Sequence, residues 1–328
     1  MKTRRSFIKN MGTGAALSVL AVSSAETISA AQLFAKNLSS DKPIRIGIIG
    51  AENSHTIGYG KLFNIDKQFP GVEVKYVWGE TEEFARAAME KGQIPHMVKD
   101  PLEMLGKIDA LIVDHRHAKY HLKAAEPFVK AGIPTFIDKP FCYRVSEGKE
   151  FLEMARKVGT PVSSYSSEAH KDGTFDVKKQ VETMGAISHV TISGPADLES
   201  PYGGVFFYGI HMVQPLMYIF GDDIRRVRVT RSGKNTTAAL VFGNDMLATL
   251  IFKTLSYGWR TFAETKEGTV ELKSRIDDNV PGKNYTDMVE MFRTGKEPLA
   301  HESILKCIAV LEALERSGTN EKWEEVKM

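Results

Sequence analysis

The sequence predicts two domains: an α/β domain with a doubly wound parallel sheet, and then an α+β domain with an open, mainly antiparallel sheet. The chain has 328 residues with 42% hydrophobic and 26% charged content, which is enough for two cores. Between residues 43 and 166, short apolar runs alternate with helical stretches, as a parallel sheet with crossover helices requires. Between residues 167 and 328, many strand patterns alternate apolar and polar residues, which is typical of a sheet with one solvated or partner-covered face.

The N-terminal segment, residues 1–30, is expected to be absent from the mature protein. The stretch Thr3–Lys9, TRRSFIK, precedes a mildly apolar run and then small residues, which is the order of a twin-arginine export signal. The apolar run, Met11–Val22, is too short and too rich in Gly, Ala and Ser to span a membrane. We therefore expect an exported, periplasmic protein without a stable membrane anchor, with residues 31–42 as a flexible lead-in. The alternative is a basic amphipathic start to a cytoplasmic protein.

Charge and cysteine content exclude some classes of function. Residues 1–30 carry four basic residues and one acidic residue, so their removal changes the formal net charge from +2 to −1. This balance gives no reason to expect a nucleic-acid partner. The two cysteines, Cys142 and Cys307, fall one in each predicted domain, so no disulfide framework is expected despite an oxidising destination.

Each element of the first domain follows from a local pattern. The first strand, residues 44–49, is a nearly continuous apolar run of the kind that is buried on both faces of a parallel sheet. Gly132–Pro134 supplies the turn before a later strand. Further strands are predicted at 72–78, 110–113, 135–137 and 162–165, and helices at 82–91, 118–131 and 146–158.

The elements of the second domain follow a different order. Its strands are mostly consecutive, and their open face predicts a homodimer or homotetramer. Strands are predicted at 187–192, 224–230, 237–242, 246–253 and 257–264, and helices at 175–183, 211–220 and 302–317.

The turn after the first strand resembles a dinucleotide-binding turn and then departs from it. Gly50 fits the first glycine of the fingerprint, but Glu52 and His55 stand where the second and third are expected. A carboxylate at Glu52 repels phosphate unless its side chain turns away. Asn53 and Ser54 can instead cap the following helix, whose first amides still favour an anion. The turn alone leaves two readings open: a bound dinucleotide, or a nucleotide site that has drifted.

The acidic ligand that a dinucleotide ribose requires is expected after the second strand. That strand ends at Trp78-Gly79, and Glu80 follows one place later than is ideal. Glu80 is therefore a candidate ribose ligand.

A more specific pattern lies in the second half of the first domain. A strand, a loop that ends in His121, a helix, Ala131-Gly132 and another strand lead to Asp138-Lys139-Pro140. Further along, Gly209-Ile-His211 precedes an apolar helix. This order resembles the glucose-fructose oxidoreductase and inositol dehydrogenase family (Gfo/Idh/MocA), in which an acidic-Lys-Pro motif follows the fifth strand. The resemblance covers nearly the whole mature chain, including the closing run from residue 292 to residue 317.

The resemblance implies an oxidoreductase with a nicotinamide cofactor, NAD or NADP. It implies that Lys139 lies beside the nicotinamide and that His211 faces the substrate from the second domain. Many members carry aspartates four residues before and three after that histidine, where this chain has Phe207 and Gln214; Tyr208 is the candidate that replaces the first. The cofactor-binding residues expected from the turn and the resemblance are Gly50, Glu52, Asn53, Ser54, His55, Glu80, His117, His121, Asp138 and Lys139.

The chemistry of these residues suits oxidation of a CH–OH group. Such oxidation needs a base for the hydroxyl proton while a hydride leaves to the nicotinamide. The imidazole of His211 serves near neutral pH, and the ammonium of Lys139 favours the developing alkoxide. Lys139 and His211, with Tyr208 in reserve, are therefore the expected catalytic residues.

The histidines between residues 115 and 121 permit a second reading, a metal site. His117 and His121 are four residues apart, and Asp114 precedes them. Only the start of a helix would align the two histidines on one face. We predict no metal, because the same loop is where the family contacts cofactor and substrate.

These observations predict an exported NAD(P)-dependent oxidoreductase that acts on a sugar, glycoside or polyol. An exported enzyme of this class is expected to hold its cofactor tightly, because the envelope supplies no free NAD. Two alternatives stay open: an NAD-assisted glycosidase or lyase of the same family, and a non-catalytic sugar-binding protein with a degenerate nucleotide site.

Overall fold

The computed structural model describes residues 42–328. The predicted export signal at residues 1–30 and the lead-in at 31–42, apart from its last residue, lie outside this part of the chain. Within residues 42–328, no helix combines the length and the apolar character that a bilayer span requires.

Six parallel strands form the first sheet, in the order β3-β2-β1-β4-β5-β6. The order reverses between β1 and β4, so a crevice opens at the carboxyl ends of these two strands. Its strands are β1 (Ile44–Ile49), β2 (Val72–Trp78), β3 (His96–Met97), β4 (Ala110–Val113), β5 (Thr135–Ile137) and β6 (Val162–Ser163). The doubly wound parallel sheet predicted from the sequence is confirmed.

The helices between these strands cover both faces of the sheet. They are α1 (Ser54–Gly60), α2 (Glu82–Gly92), α3 (His121–Lys130) and α4 (Val145–Val158). A π-helical turn at Lys61–Ile65 extends α1, and 3-10 turns lie at Pro101–Met104 and Ala118–Tyr120. The predicted helix at 118–131 thus begins with a 3-10 turn.

The second sheet has seven strands in the order β12-β11-β7-β10-β9-β8-β13. Only β7 and β10 pair in parallel among its described strands, so the sheet is mainly antiparallel, as the sequence predicts. Its strands are β7 (Ile187–Pro195), β8 (Ile224–Ser232), β9 (Asn235–Phe242), β10 (Leu247–Lys253), β11 (Arg260–Thr265), β12 (Gly268–Leu272) and β13 (Glu324–Glu325).

Four helices lie in the second half of the chain: α5 (Asp172–Val181), α6 (Val205–Phe220), α7 (Lys283–Thr294) and α8 (His301–Asn320). Helix α6 begins six residues before the predicted start at 211, after Gly204 with its positive φ of 59°. The strand predicted at 257–264 was wrong at its start, because residues 257–259 form a loop that contains Gly258 at φ 100°.

The C-terminal part of the chain completes the core of the parallel sheet. Met288, Met291 and Phe292 of α7 belong to the same buried cluster as Ile46 and Ile48 of β1. A second buried cluster joins the outer helices of the parallel sheet to the helices on the mixed sheet. This shared packing fixes the carboxyl edge of one sheet against helix α6 of the other. The domain boundary near residue 166 stays a prediction.

Candidate active site

The turn between β1 and α1 presses against the end of β4 because residue 50 is a glycine. Gly50 has φ 110°, and a Cβ there would lie 2.5 Å from the backbone nitrogen of His115. Side chains other than hydrogen are excluded both by this contact and by the left-handed conformation. The close approach brings the turn and the loop after β4 into one crevice.

Glu80, the predicted ribose ligand, lies in this crevice. Its Oε2 accepts hydrogen bonds from the backbone nitrogens of Ala51 (2.8 Å) and Glu52 (2.9 Å), and its Oε1 lies 2.8 Å from His115 Nδ1. Burial opposes ionisation, but the bonds from His115 and the two amides prevail and lower the pKa of Glu80 to about 2. A carboxylate is therefore fixed at the Gly50 turn.

An apolar cavity of about 450 Å³ adjoins Glu80. Trp78, Leu102, Tyr120 and Phe128 line it together with the His115 ring. An apolar slot next to an acidic group suits a planar base attached to a ribose.

Glu52, which stands where the fingerprint has its second glycine, points away from the turn. Its Oε1 accepts a hydrogen bond of 2.8 Å from the hydroxyl of Tyr202, in the loop before α6. The guanidinium carbon of Arg116 lies 4.3 Å from the centre of the Tyr202 ring. The hydrogen bond thus crosses the cleft between the two domains and keeps the Glu52 carboxylate away from the amides of the turn.

The first turn of α1 carries a network of buried charges. Asn53 is the N-cap of α1, as predicted, and its Nδ2 donates to Asp114 and Asp138, each at 3.0 Å. His55 Nδ1 lies 3.2 Å from Asp138 Oδ2. Chiefly because of the Asp138 charge, and despite partial burial, the pKa of His55 rises to about 9. His55 therefore brings a positive charge to a helix start that already favours anions.

The two carboxylates of this network differ in their protonation. Burial and the charge of Asp138 raise the pKa of Asp114 well above its usual range. Burial opposes ionisation of Asp138 as well, but the charges of His55 and Lys139 lower its pKa below its usual range. Asp138 is thus the ionised member and holds His55. The predicted cofactor ligand Ser54 begins α1 and is exposed beside this network.

Among the described residues, the histidines at 115, 117 and 121 do not point to a common centre where a metal could bind. His115 bonds to Glu80, and His117 Nδ1 lies 2.8 Å from the hydroxyl of Tyr143. Both ring nitrogens of the fully buried His121 lie within 2.9 Å of backbone carbonyl oxygens, which leaves neither for a cofactor. His121 therefore positions the loop rather than facing the crevice.

One His and carboxylate group among residues 42–328 has ligand atoms within 4.8 Å of one another: His55, Asp114 and Asp138. The Asn53 amide already donates to both carboxylates, and the Thr56 hydroxyl donates to Asp114. Protein donors thus satisfy these oxygens, and we assign no metal to the group.

Lys139 follows β5 and reaches the second domain. It is 8% exposed, and its Nζ lies 5.2 Å from the ring centre of Phe207 and 5.3 Å from that of Tyr208. A small cavity of about 160 Å³ opens beside it, between His55 on α1 and Tyr285 on α7. The ammonium therefore lies over aromatic faces at the junction of the two domains.

His211 lies on the inner face of α6, behind Tyr208. The two ring centres are 5.5 Å apart, and His211 is 7% exposed. Its Nδ1 lies 2.6 Å from the Oγ of Ser166, and Gln214 Oε1 accepts from the backbone nitrogen of Ser166. Burial, followed by the charge of Lys139, lowers the pKa of His211 well below its usual value. The imidazole is therefore neutral and is held in orientation by Ser166.

The three predicted catalytic residues thus meet, Lys139 from one domain and Tyr208 and His211 from the other. Sequence reasoning did not predict two contacts that hold this site: Ser166 with His211, and Tyr202 with Glu52. Serines and aromatic residues give no periodic signal, and their partners lie far away along the chain.

A larger cavity of about 520 Å³ begins at His211 and continues between α5, α6 and the edge of the mixed sheet. His211, Pro215 and Ile219 line it from one face of α6, as their spacing of four residues requires. Trp259 forms part of the opposite wall, and its ring centre lies 5.7 Å from that of His211. Cavities of this size hold small ligands.

Comparison with known proteins begins with the parallel sheet. Residues 44–166 match the model of the GFO_IDH_MocA family, described as an oxidoreductase family with an NAD-binding Rossmann fold. The first domain is therefore similar to the NAD-binding domain of that family. No curated protein sequence matches the chain.

Several solved structures share the fold over most of this chain. Apo scyllo-inositol dehydrogenase from Lactobacillus casei has a TM-score of 0.74 at 14% identity, with 87% of this chain and 98% of that chain covered. Myo-inositol dehydrogenase from the same organism, solved with NAD(H) and myo-inositol, has a TM-score of 0.74 at 15% identity, with 87% and 97% covered. GenD2 from gentamicin A biosynthesis, solved with NAD, has a TM-score of 0.74 at 12% identity, with 88% and 97% covered. At these identities, the likeness shows the fold.

Proposed function

We propose that this protein is an NAD-dependent oxidoreductase that acts on a CH–OH group of a sugar, glycoside or polyol. The observation that carries the proposal is the meeting of Lys139 and His211, from different domains, around Tyr208 at the carboxyl edge of the parallel sheet. Ligands of such sheets bind at this edge, where the strand order reverses. The similar structures that were solved with NAD or NAD(H) support the cofactor class.

The crevice fits a dinucleotide in two places. Glu80 and the adjoining apolar cavity suit an adenosine, with the carboxylate facing the ribose hydroxyls. The start of α1 suits the diphosphate, because Glu52 is held away by Tyr202 and the His55 imidazolium lies there, whereas the amides of Ala51 and Glu52 are bound by Glu80. A bound nicotinamide cofactor supplies the hydride acceptor for the oxidation.

The residues of the second domain then supply the acid-base chemistry. The His211 ring is neutral, so one of its nitrogens is free of a proton. When Nδ1–H donates to Ser166 Oγ, Nε2 presents a lone pair that accepts the proton of the substrate hydroxyl. The Lys139 ammonium favours the negative charge that then develops on the substrate oxygen.

NAD is preferred over NADP in this proposal because of Glu80. Its carboxylate is ionised above a pH of about 2 and lies beside the Gly50 turn. A phosphate on the ribose 2′ position would meet this negative charge at close range. Tight binding of NAD is part of the proposal, and Glu52 and Tyr202 closing over the cleft support it.

Export and assembly are further proposals. The twin arginines Arg4 and Arg5 support export of the folded, NAD-loaded protein. Cell fractionation tests export: the wild type is expected in the periplasm, and the Arg4→Lys, Arg5→Lys double variant in the cytoplasm.

Leu247 and Ile251 are 43% and 39% exposed on the outer face of β10, which supports a homodimer or homotetramer. A monomer in light scattering would contradict the assembly.

The decisive experiment denatures the purified mature protein and identifies the nucleotide released by absorbance and mass. We expect about one NAD for each chain, either as purified or after incubation with NAD. Release of neither NAD nor NADP under both conditions would refute the proposal and favour a sugar-binding protein. Reduction of the bound NAD by a panel of sugars and polyols, followed by absorbance of the reduced nicotinamide, then tests the reaction. Cleavage of a glycoside without net reduction would identify the glycosidase alternative.

A further inference from the structure

The cavity that begins at His211 carries more positive than negative charge. Its lining holds four cations and two carboxylates among the described residues. They are Lys171, Lys253, Arg260, Lys273, Glu168 and Glu271. The mature chain as a whole is expected to be close to neutral, so this excess is local.

The ion pairs within the lining leave some of this charge without a partner. Lys171 Nζ lies 2.8 Å from Glu168 Oε2, which balances that pair. Glu271 serves two cations at 2.7 Å each, Arg260 and Lys273. One carboxylate therefore faces two positive charges on the rim of the cavity.

Lys253 has no carboxylate partner among residues 42–328. Its Nζ donates to the backbone oxygen of Gly258 at 3.0 Å, and the oxygen of Tyr257 lies at 3.5 Å. Carbonyl oxygens hold the ammonium in place but do not neutralise it, and an ammonium has three donors. Lys253 is therefore a fixed cation at the cavity.

Aromatic rings form the wall between this cation and His211. The ring centre of Trp259 lies 5.7 Å from that of His211 and 5.5 Å from that of Tyr257. The edge of the Trp259 indole rests on β7 at Gly194, where a Cβ would lie 2.5 Å from it. Rigid aromatic faces beside polar groups suit a sugar ring, which presents C–H groups on its faces and hydroxyls at its edge.

We propose that this cavity binds an acidic sugar, a uronic acid whose carboxylate faces Lys253 while its ring lies along Trp259 and reaches His211. The proposal deepens the proposed function and rests on it for the reaction at His211. A neutral sugar would leave the excess charge of the lining uncompensated, whereas a carboxylate forms charge-assisted hydrogen bonds with it. The site thus discriminates against a neutral sugar because that ligand leaves the cationic side chains of the lining unpaired.

Binding measurements test the substrate class without requiring turnover. The mature protein, as purified with any nucleotide it holds, is titrated in a calorimeter with glucuronate, glucose, galacturonate, galactose and glucose 6-phosphate. We expect each uronate to bind at least about 10-fold more tightly than the neutral sugar of the same configuration, in line with one hydrogen bond to a charged group. Equal affinity within both pairs would overturn the proposal, and so would preferred binding of glucose 6-phosphate.

Two variants locate the effect at Lys253. Lys253→Met is expected to weaken glucuronate binding about 10- to 100-fold and to leave glucose binding unchanged. The exposed Lys234, in the turn between β8 and β9, provides the control Lys234→Met, which is expected to bind both sugars as the wild type does. An equal loss for both sugars in Lys253→Met, at an unchanged melting temperature, would show a structural role and overturn the assignment.

The results can refute the acidic-sugar proposal and the proposed function independently of each other. Uronate binding by a protein that holds no NAD would refute the oxidoreductase and keep the acidic sugar. Reduction of bound NAD by neutral sugars alone would keep the oxidoreductase and refute the acidic sugar.

Discussion

The hydroxyl of Tyr202 donates a hydrogen bond of 2.8 Å to Glu52 across the cleft between the two domains. Glu52 replaces a glycine of the dinucleotide fingerprint, and in this position its carboxylate is the main obstacle to a bound diphosphate. The contact draws that carboxylate toward the second domain, while Glu80 takes the two amides of the turn. The sequence alone suggests that Glu52 prevents nucleotide binding, but its position in the fold is compatible with a bound nucleotide.

Removal of this hydroxyl is expected to weaken NAD binding. In Tyr202→Phe, Glu52 is free to turn toward the diphosphate, and one charge-assisted hydrogen bond is lost. We expect the Kd of NAD to rise about 2- to 10-fold in calorimetry of the nucleotide-free protein. The double variant Tyr202→Phe, Glu52→Gln removes the repelling charge and should restore most of the affinity. An unchanged Kd in the single variant would contradict this role.

Replacement of Lys139 is expected to lower the rate of the reaction and to leave the stability of the fold nearly unchanged. Lys139→Met keeps a long apolar side chain against Phe207 and Tyr208 but removes the charge beside the reacting oxygen. We expect single-turnover reduction of bound NAD to slow about 10²- to 10³-fold, with the melting temperature nearly unchanged. The exposed Lys149 on α4 provides the control Lys149→Met. Wild-type turnover by Lys139→Met would refute the assignment.

The depressed pKa of His211 predicts the pH dependence of activity. A base must be unprotonated, so kcat/KM should stay constant down to pH 6.5 and fall only well below it. His211→Asn should lower kcat/KM about 10²- to 10⁴-fold and abolish this acid limb. An acid limb centred at pH 6.5 or above would contradict the assignment.

The His211 side chain also makes the stability of the folded protein depend on pH. Below pH 6.5 the unfolded chain binds a proton at His211 that the folded protein does not bind, so stability falls as the pH is lowered from 6.5 toward the folded pKa. The melting temperature of His211→Asn should therefore depend less on pH in this range than that of the wild type. Equal slopes would show that His211 does not carry the effect.

Glu80 is expected to select NAD. Glu80→Gln removes the negative charge near the ribose, so we expect the preference for NAD over NADP to fall about 10-fold, measured as the ratio of the two Kd values. The wild-type carboxylate stabilises the fold above pH 4.5, and this contribution is lost as the pH falls from 4.5 through about 2. The exposed Glu83 on α2 provides the control Glu83→Gln. A wild type that prefers NADP would contradict the role of Glu80.

Gly50 is expected to be essential to the turn, whereas Gly58 is not. Gly50→Ala strains a residue at φ 110° and drives a Cβ into the backbone at His115, so we expect a loss of about 1–3 kcal/mol in the free energy of unfolding. Gly58 lies within α1 with open space at its Cβ position, so Gly58→Ala should keep or raise stability by up to about 1 kcal/mol. Thermal unfolding of both variants measures the difference. Equal effects would contradict the close approach.

Local sequence patterns predicted the architecture well. The apolar run at 44–49 became a central strand, and the Asp138-Lys139-Pro140 segment came to the carboxyl edge because parallel strands end there. The loop at 257–259 was not predicted, because its aromatic residues also suit a strand. Its conformation depends on Gly258 and on the fit of Trp259 against Gly194.

The sequence by itself determined the two kinds of sheet, most of their strands and helices, and the candidate residues with chemistry, because these depend on periodicity and motifs within short stretches. The tertiary structure alone decided how those residues are arranged. His55 meets Asp138 across 83 positions, and Glu52 meets Tyr202 across 150. Such contacts depend on the packing of helices against two sheets, which fixes the direction of each side chain and its charge state.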